Sequence, residues 1–119
     1  MSVDLDFWRY KEGAAHDNDK VYRLACCDGE TVEGLEDLPI EDILKKTASV
    51  FSDWNALSEN IYEKDDASFE ISVTPQIVRF DCYGVSEDDM NRFIDIMADF
   101  GCPLYDPQIS TRFDSWTDR

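Results

Sequence analysis

In two neighbouring runs near the middle of the chain, apolar and polar residues alternate strictly. Phe69, Ile71 and Val73 alternate with Glu70, Ser72 and Thr74; Val78, Phe80 and Cys82 alternate with Arg79, Asp81 and Tyr83. A period of two puts each apolar set on one face of a sheet. Thr74-Pro75-Gln76 separates the runs, and proline, which cannot donate to a ladder, suits a turn. The pattern predicts a β-hairpin. A helical period follows at once, with Met90, Phe93, Ile94, Met97 and Phe100 forming one apolar stripe. Ser86 is a good N-cap, and Asp89 three residues on imitates a capping box. Glu87, Asp88 and Asp89 complement the helix dipole in the first turn. Gly101 stands at the C′ position, and Pro103 prevents continuation.

The same two periods organise the rest. Val3, Leu5 and Phe7 alternate with Asp4, Asp6 and Trp8, which predicts a first strand running to about Tyr10. Lys11 to Lys20 is polar and reads as a loop. Val21 to Cys27 reads as a second strand, with Tyr22, Leu24 and Cys26 on one face. Asp28-Gly29 marks a turn, and Glu30 to Leu38 is compatible with a short strand or a loop. Pro39 opens a helix whose stripe is Ile40, Ile43, Leu44, Thr47, Phe51 and Trp54. Asn55 to Ser68 reads as a loop with room for one helical turn. The tail from Asp106 to Arg119 carries Ile109, Phe113 and Trp116, so it is expected to pack on the body.

The order strand, strand, helix therefore occurs twice. One domain over residues 1–119 is expected. Its fold class is α+β: a two-layer sandwich, with an antiparallel sheet of four or five strands and two main helices on one face, in the order ββαββα. The opposite sheet face would then show Asp4, Asp6, Trp8, Tyr10, Arg23, Glu70, Arg79, Asp81 and Tyr83. Either the tail covers it through Phe113 and Trp116, or it is a partner-binding face, because aromatics and Arg are enriched at interface hot spots.

Composition adds a constraint on partners. The 119 residues are 43% hydrophobic, which argues against disorder. There are 27 acidic residues against 11 basic, a formal net charge of −16. That charge disfavours nucleic acid and anionic membrane as ligands and favours a basic protein partner. Solubility alone is the competing explanation. The densest block runs from Asp28 to Asp42 and contains Glu30, Glu33, Glu36, Asp37 and Glu41 with no Lys or Arg. The candidate partner-binding residues are therefore Glu30, Glu33, Glu36 and Asp37 of that block, and Trp8, Arg79, Asp81 and Tyr83 of the sheet face.

Catalytic chemistry finds little support. The single histidine, His16, sits in a polar loop, and no spacing pairs it with Cys26, Cys27, Cys82 or Cys102. The cysteines match no zinc or redox motif, so four reduced thiols, no metal and no cofactor are expected. There is no Gly-rich phosphate loop, and Asp65-Asp66 follows no calcium-loop pattern. An enzyme is not expected. The N-terminal stretch lacks a basic region followed by an apolar run, and no segment approaches the length of a membrane span, so a cytoplasmic protein is expected.

The stretches VEGLEDLPIEDILKK, PQIVRFDCYG and DMNRFIDIMADFGCPLYDPQ resemble small acidic bacterial proteins. In size and charge those are similar to immunity proteins of contact-dependent growth inhibition and related polymorphic toxin systems. The resemblance spans about Val32 to Gln108 and contains no activity motif. It implies a protein that binds a cognate toxin domain in the cytoplasm and blocks its active site without doing chemistry. It also implies a basic toxin of the nuclease kind, whose cleft an acidic protein can fill in place of nucleic acid. It transfers no binding residue. A regulatory or structural interaction domain is the alternative, and a cysteine-dependent enzyme the third.

Overall fold

The structure is a computed structural model that describes residues 2–113. Its strands are β1 (Ser2–Phe7), β2 (Asn55–Ala56), β3 (Ile61–Lys64), β4 (Ala67–Val73), β5 (Val78–Tyr83), β6 (Leu104–Asp106) and β7 (Thr111–Arg112). Its helices are α1 (Asn18–Val21), which runs directly into a π-helical stretch (Tyr22–Cys27), α2 (Ile40–Val50) and α3 (Glu87–Ala98). The class is α+β. One antiparallel sheet takes all seven strands in the order β2-β3-β4-β5-β1-β6-β7.

The register explains the core. Leu5 faces Phe80 across β1 and β5, and Phe80 faces Ile71 across β5 and β4. One row of the pleat is thus apolar across three strands, and all three residues are buried. α2 and α3 cover this face. Phe93 of α3 reaches the sheet with its ring centroid 4.3 Å from Phe80 and 4.7 Å from Phe69, and lies 4.9 Å from Phe51. Burying a side chain of this size contributes about 1.5–3 kcal/mol by transfer alone. Of the residues expected to meet there, Phe80, Phe93 and Met97 are buried and Ile94 is half-buried; Ile96 takes the inward position instead.

The helix ends follow the local chemistry. Ser86 Oγ accepts from the Asp89 N–H at 3.2 Å, one half of the expected capping box. At the other end Gly101, with φ +74°, lets its N–H reach the Ala98 carbonyl while the Cys102 N–H reaches that of Met97. This is the paired closure that a left-handed C′ residue permits. α2 has no basic residue in its last turn. Arg92 of α3 substitutes, donating to the Val50 carbonyl and stacking 4.1 Å over Phe51.

Four expectations are corrected. The sheet has seven strands rather than four or five. Asn55 to Ser68 is not a loop: it supplies β2, β3 and the start of β4, closed by a turn with Asp65 at φ 54°. Val21 to Cys27 is helical, not a strand. Asp17 caps it by accepting from the Lys20 N–H at 3.2 Å, and the buried residues Val21 and Ala25 are four apart, a helical spacing. Finally, the sheet face opposite α2 and α3 is covered by this helical segment, and Arg112 of the tail packs on it over Trp8. Trp8, Val21, Ala25, Val32, Leu35, Ile77 and Tyr105 form a second core there, so helical structure flanks the sheet on both faces. Phe113 is exposed, and Trp116 lies outside the described residues.

Candidate partner-binding surface

The acidic block has a built backbone. Val32, Leu35 and Leu38 point inward and are buried, while Glu30, Glu33 and Asp37 point outward and are exposed. The strand-or-loop ambiguity resolves as a loop with one bridge, Tyr10 to Leu35. It is tied down along its length. The Glu30 N–H donates to Leu24 at 2.9 Å, Glu36 to Arg9 at 2.8 Å and Leu38 to Pro75 at 2.7 Å, and the Lys11 N–H reaches Gly34 at 2.8 Å. Gln76, buried at the turn between β4 and β5, adds side-chain bonds to Val32 and Leu35. A loop so held keeps its carboxylates in place before any partner arrives.

Of the seven acids in the block, Glu36 alone forms an ion pair among the described residues, with Arg9. Asp28, Glu30, Glu33, Asp37, Glu41 and Asp42 are exposed. Among the described residues none of these six forms an ion pair.

The other candidates are dispersed. Trp8 is wholly buried, its ring centroid 5.1 Å from that of Tyr105 with the rings tilted by 40°, and capped by Arg112; it is a core residue and not a surface anchor. Tyr83 is 51% exposed but stands at the far end of β5 from the loop, about 17 Å along a six-residue strand. Arg79 and Asp81 are half-buried midway. Arg79 binds Asp81 at 3.1 Å and Asp4 at 3.3 Å, and approaches Asp6 at 4.0 Å. These charges satisfy one another beneath the helical segment, where Tyr22 donates to Asp4. They do not form one surface with the acidic loop.

Asp6 sits at the bottom of that cluster with no exposed surface, and neither carboxyl oxygen meets a partner in hydrogen-bond geometry. Burial, with Asp4 nearby, pushes its pKa up to about 8, against the opposing pull of Arg79. Burial works against the charge of Arg79 too, but Asp6, Asp4 and Asp81 raise its pKa and keep it cationic. Cys26 lies against Asp6, and burial pushes its thiol pKa up. A thiol held protonated is a poor nucleophile. Cys27 is exposed, Cys82 and Cys102 are buried, and all four thiols are free.

Two features escaped the sequence reading. Gln76 sits in a polar turn and gives no local sign of its grip on a loop 44 residues away. His16 looked isolated but stacks on Tyr10 at 4.1 Å with the rings 9° apart. No group of His, Cys, Asp and Glu among the described residues is arranged to hold a metal ion, and no helix among them is long and apolar enough to cross a membrane. Compared with protein-family models, with curated proteins and with solved structures, the chain matches none.

Proposed function

We propose that this chain is an immunity-type protein: a stoichiometric, non-catalytic inhibitor that fills the basic active-site cleft of a toxin domain, most simply a nuclease. The observation that carries this reading is the pinned acidic loop. Glu30, Glu33 and Asp37 project from a backbone fixed by five hydrogen-bonding neighbours, Leu24, Arg9, Pro75, Lys11 and Gln76. Such a loop loses little conformational entropy on binding, which favours affinity. Its uncompensated carboxylates attract a cationic surface and accelerate encounter. Side-chain carboxylates spaced along a fixed loop can substitute for the phosphates of a nucleic acid in a cleft built for them. In this reading the protein acts in the cytoplasm, needs no cofactor and binds neither nucleic acid nor membrane.

Co-expression tests it. A toxin domain encoded beside this chain is induced in cells with and without the protein. Restored growth supports the proposal. Binding without restored growth would instead make the chain a regulatory or structural interaction domain.

A further inference from the structure

We propose that Asp6 is a pH-sensitive latch for the helical segment of residues 18–27: while its carboxyl carries a proton the segment stays docked on the sheet, and loss of the proton lets the segment lift. The inference stands apart from the toxin proposal and does not rest on it. The groups around Asp6 define the latch. Asp4 comes from its own strand, Arg79 and Asp81 from β5, Tyr105 from β6, and Tyr22 and Cys26 from the helical segment above. Arg79 binds Asp81 at 3.1 Å and Asp4 at 3.3 Å but only approaches Asp6, at 4.0 Å. An ionised Asp6 would thus be the third carboxylate around one guanidinium. It has no exposed surface, and neither carboxyl oxygen has a hydrogen-bond partner. Deprived of water and of donors, a carboxyl group so placed resists ionisation.

The helical segment is the part of this enclosure that can yield. β1 lies between β5 and β6 and is hydrogen-bonded to both, so Asp6 cannot leave the sheet without breaking two ladders. The cover is four α-helical residues followed by six π-helical ones. A helix of that length is not stable in isolation, and this one is docked through Val21 and Ala25. π-Helical stretches are rare and are found mostly at functional positions. Lifting gives Asp6 access to water. It costs the docking of Val21 and Ala25 and the bond from the Glu30 N–H to the Leu24 carbonyl.

The direction of the effect follows from where the proton is held. With the segment docked, burial raises the Asp6 pKa from 3.8 to about 8; with the segment lifted, the carboxyl returns to its ordinary value. Between these two values the docked form keeps a proton that the lifted form gives up. Docking is therefore favoured most below the lower value and loses ground as pH rises. The opening constant grows about tenfold per pH unit and levels off once the docked carboxyl ionises as well.

The test is native-state amide exchange of the full chain in low urea, from about pH 5 to about pH 7, corrected for the intrinsic pH dependence of exchange. The amides of residues 21–27 and of Glu30 are expected to open ahead of α3 and without dependence on low urea. Their opening constant should rise about tenfold per pH unit. In Asp6→Asn, which keeps the shape and cannot ionise, opening of the same amides should be independent of pH. The Asp6 carboxyl carbon of the parent, followed by NMR, is a second readout that needs no variant, and it should titrate at about 8. Exchange of residues 21–27 only together with α3, an opening constant that is flat in the parent, a rise with pH that persists in Asp6→Asn, or an Asp6 carboxyl that titrates at the ordinary 3.8 would each overturn the proposal.

Discussion

Gln76 grips Val32 on both sides of its peptide: Oε1 accepts from the Val32 N–H at 2.9 Å, and Nε2 donates to the Val32 carbonyl at 3.0 Å. The pair is buried and fastens the acidic loop to the turn between β4 and β5. Gln76→Ala would strand a buried donor and acceptor. The expected loss of stability is about 2 kcal/mol, within the range for buried unsatisfied groups. Amide exchange around Val32 to Leu35 should quicken more than exchange in α3. Equal acceleration in both places would mean that the grip serves the whole fold and not the loop.

The aromatic core gives the second prediction. Phe93 has no exposed surface and touches Phe51, Phe69 and Phe80. Phe93→Ala should cost about 3–5 kcal/mol, as lost burial plus a residual cavity. The midpoint of chemical denaturation reads this directly. A midpoint unchanged by the substitution would remove Phe93 from the centre of the core.

The third concerns pH. Asp6 has a folded pKa near 8 against an ordinary 3.8, so the folded state holds this proton more tightly than the unfolded chain. Its contribution to stability is complete below pH 3.8 and is lost as pH rises through about 8. Each pH unit inside that window costs up to about 1.4 kcal/mol. Asp6→Asn keeps the shape and cannot ionise. Its melting temperature should therefore fall less than the parent's on going from mildly acidic to mildly alkaline buffer. Parallel curves would show that Asp6 titrates normally.

What was legible in the sequence was local. The β4–β5 hairpin and α2 carry their own period, and α3 its period and both caps, so neighbours in sequence sufficed. The segment Val21 to Cys27 reads as a strand because Tyr22, Leu24 and Cys26 alternate in a strand-like way. The deciding signal was Asp17, a cap for a helix whose buried positions are Val21 and Ala25. β2 and β3 were missed because they form the polar edge of the sheet, where Tyr62 alone is buried. Exposure of Trp8 was expected because β1 alternates through Asp4 and Asp6. Only the packing of the helical segment on that face decides otherwise. For the candidate surface, the acids were visible as a block, but their fixed backbone depends on Gln76, Arg9 and Pro75, all distant in sequence.

The geometry also changes which acids should be altered to test the surface. Glu36 holds Arg9, so replacing it would disturb a structural contact as well as remove a charge. Glu30, Glu33 and Asp37 are exposed and form no ion pair among the described residues, so Glu30→Gln/Glu33→Gln/Asp37→Asn removes charge and little else. Surface substitutions of this kind usually change stability by less than about 0.5 kcal/mol.

The most direct measurement is the association rate of parent and triple variant with the proposed partner, a basic toxin domain, at low and at high salt. If the pinned loop steers a basic partner, the triple variant associates about tenfold more slowly at low salt, and the difference closes as salt screens the charges. Equal association rates at low salt would contradict the account and leave the acidic block as a solubility feature.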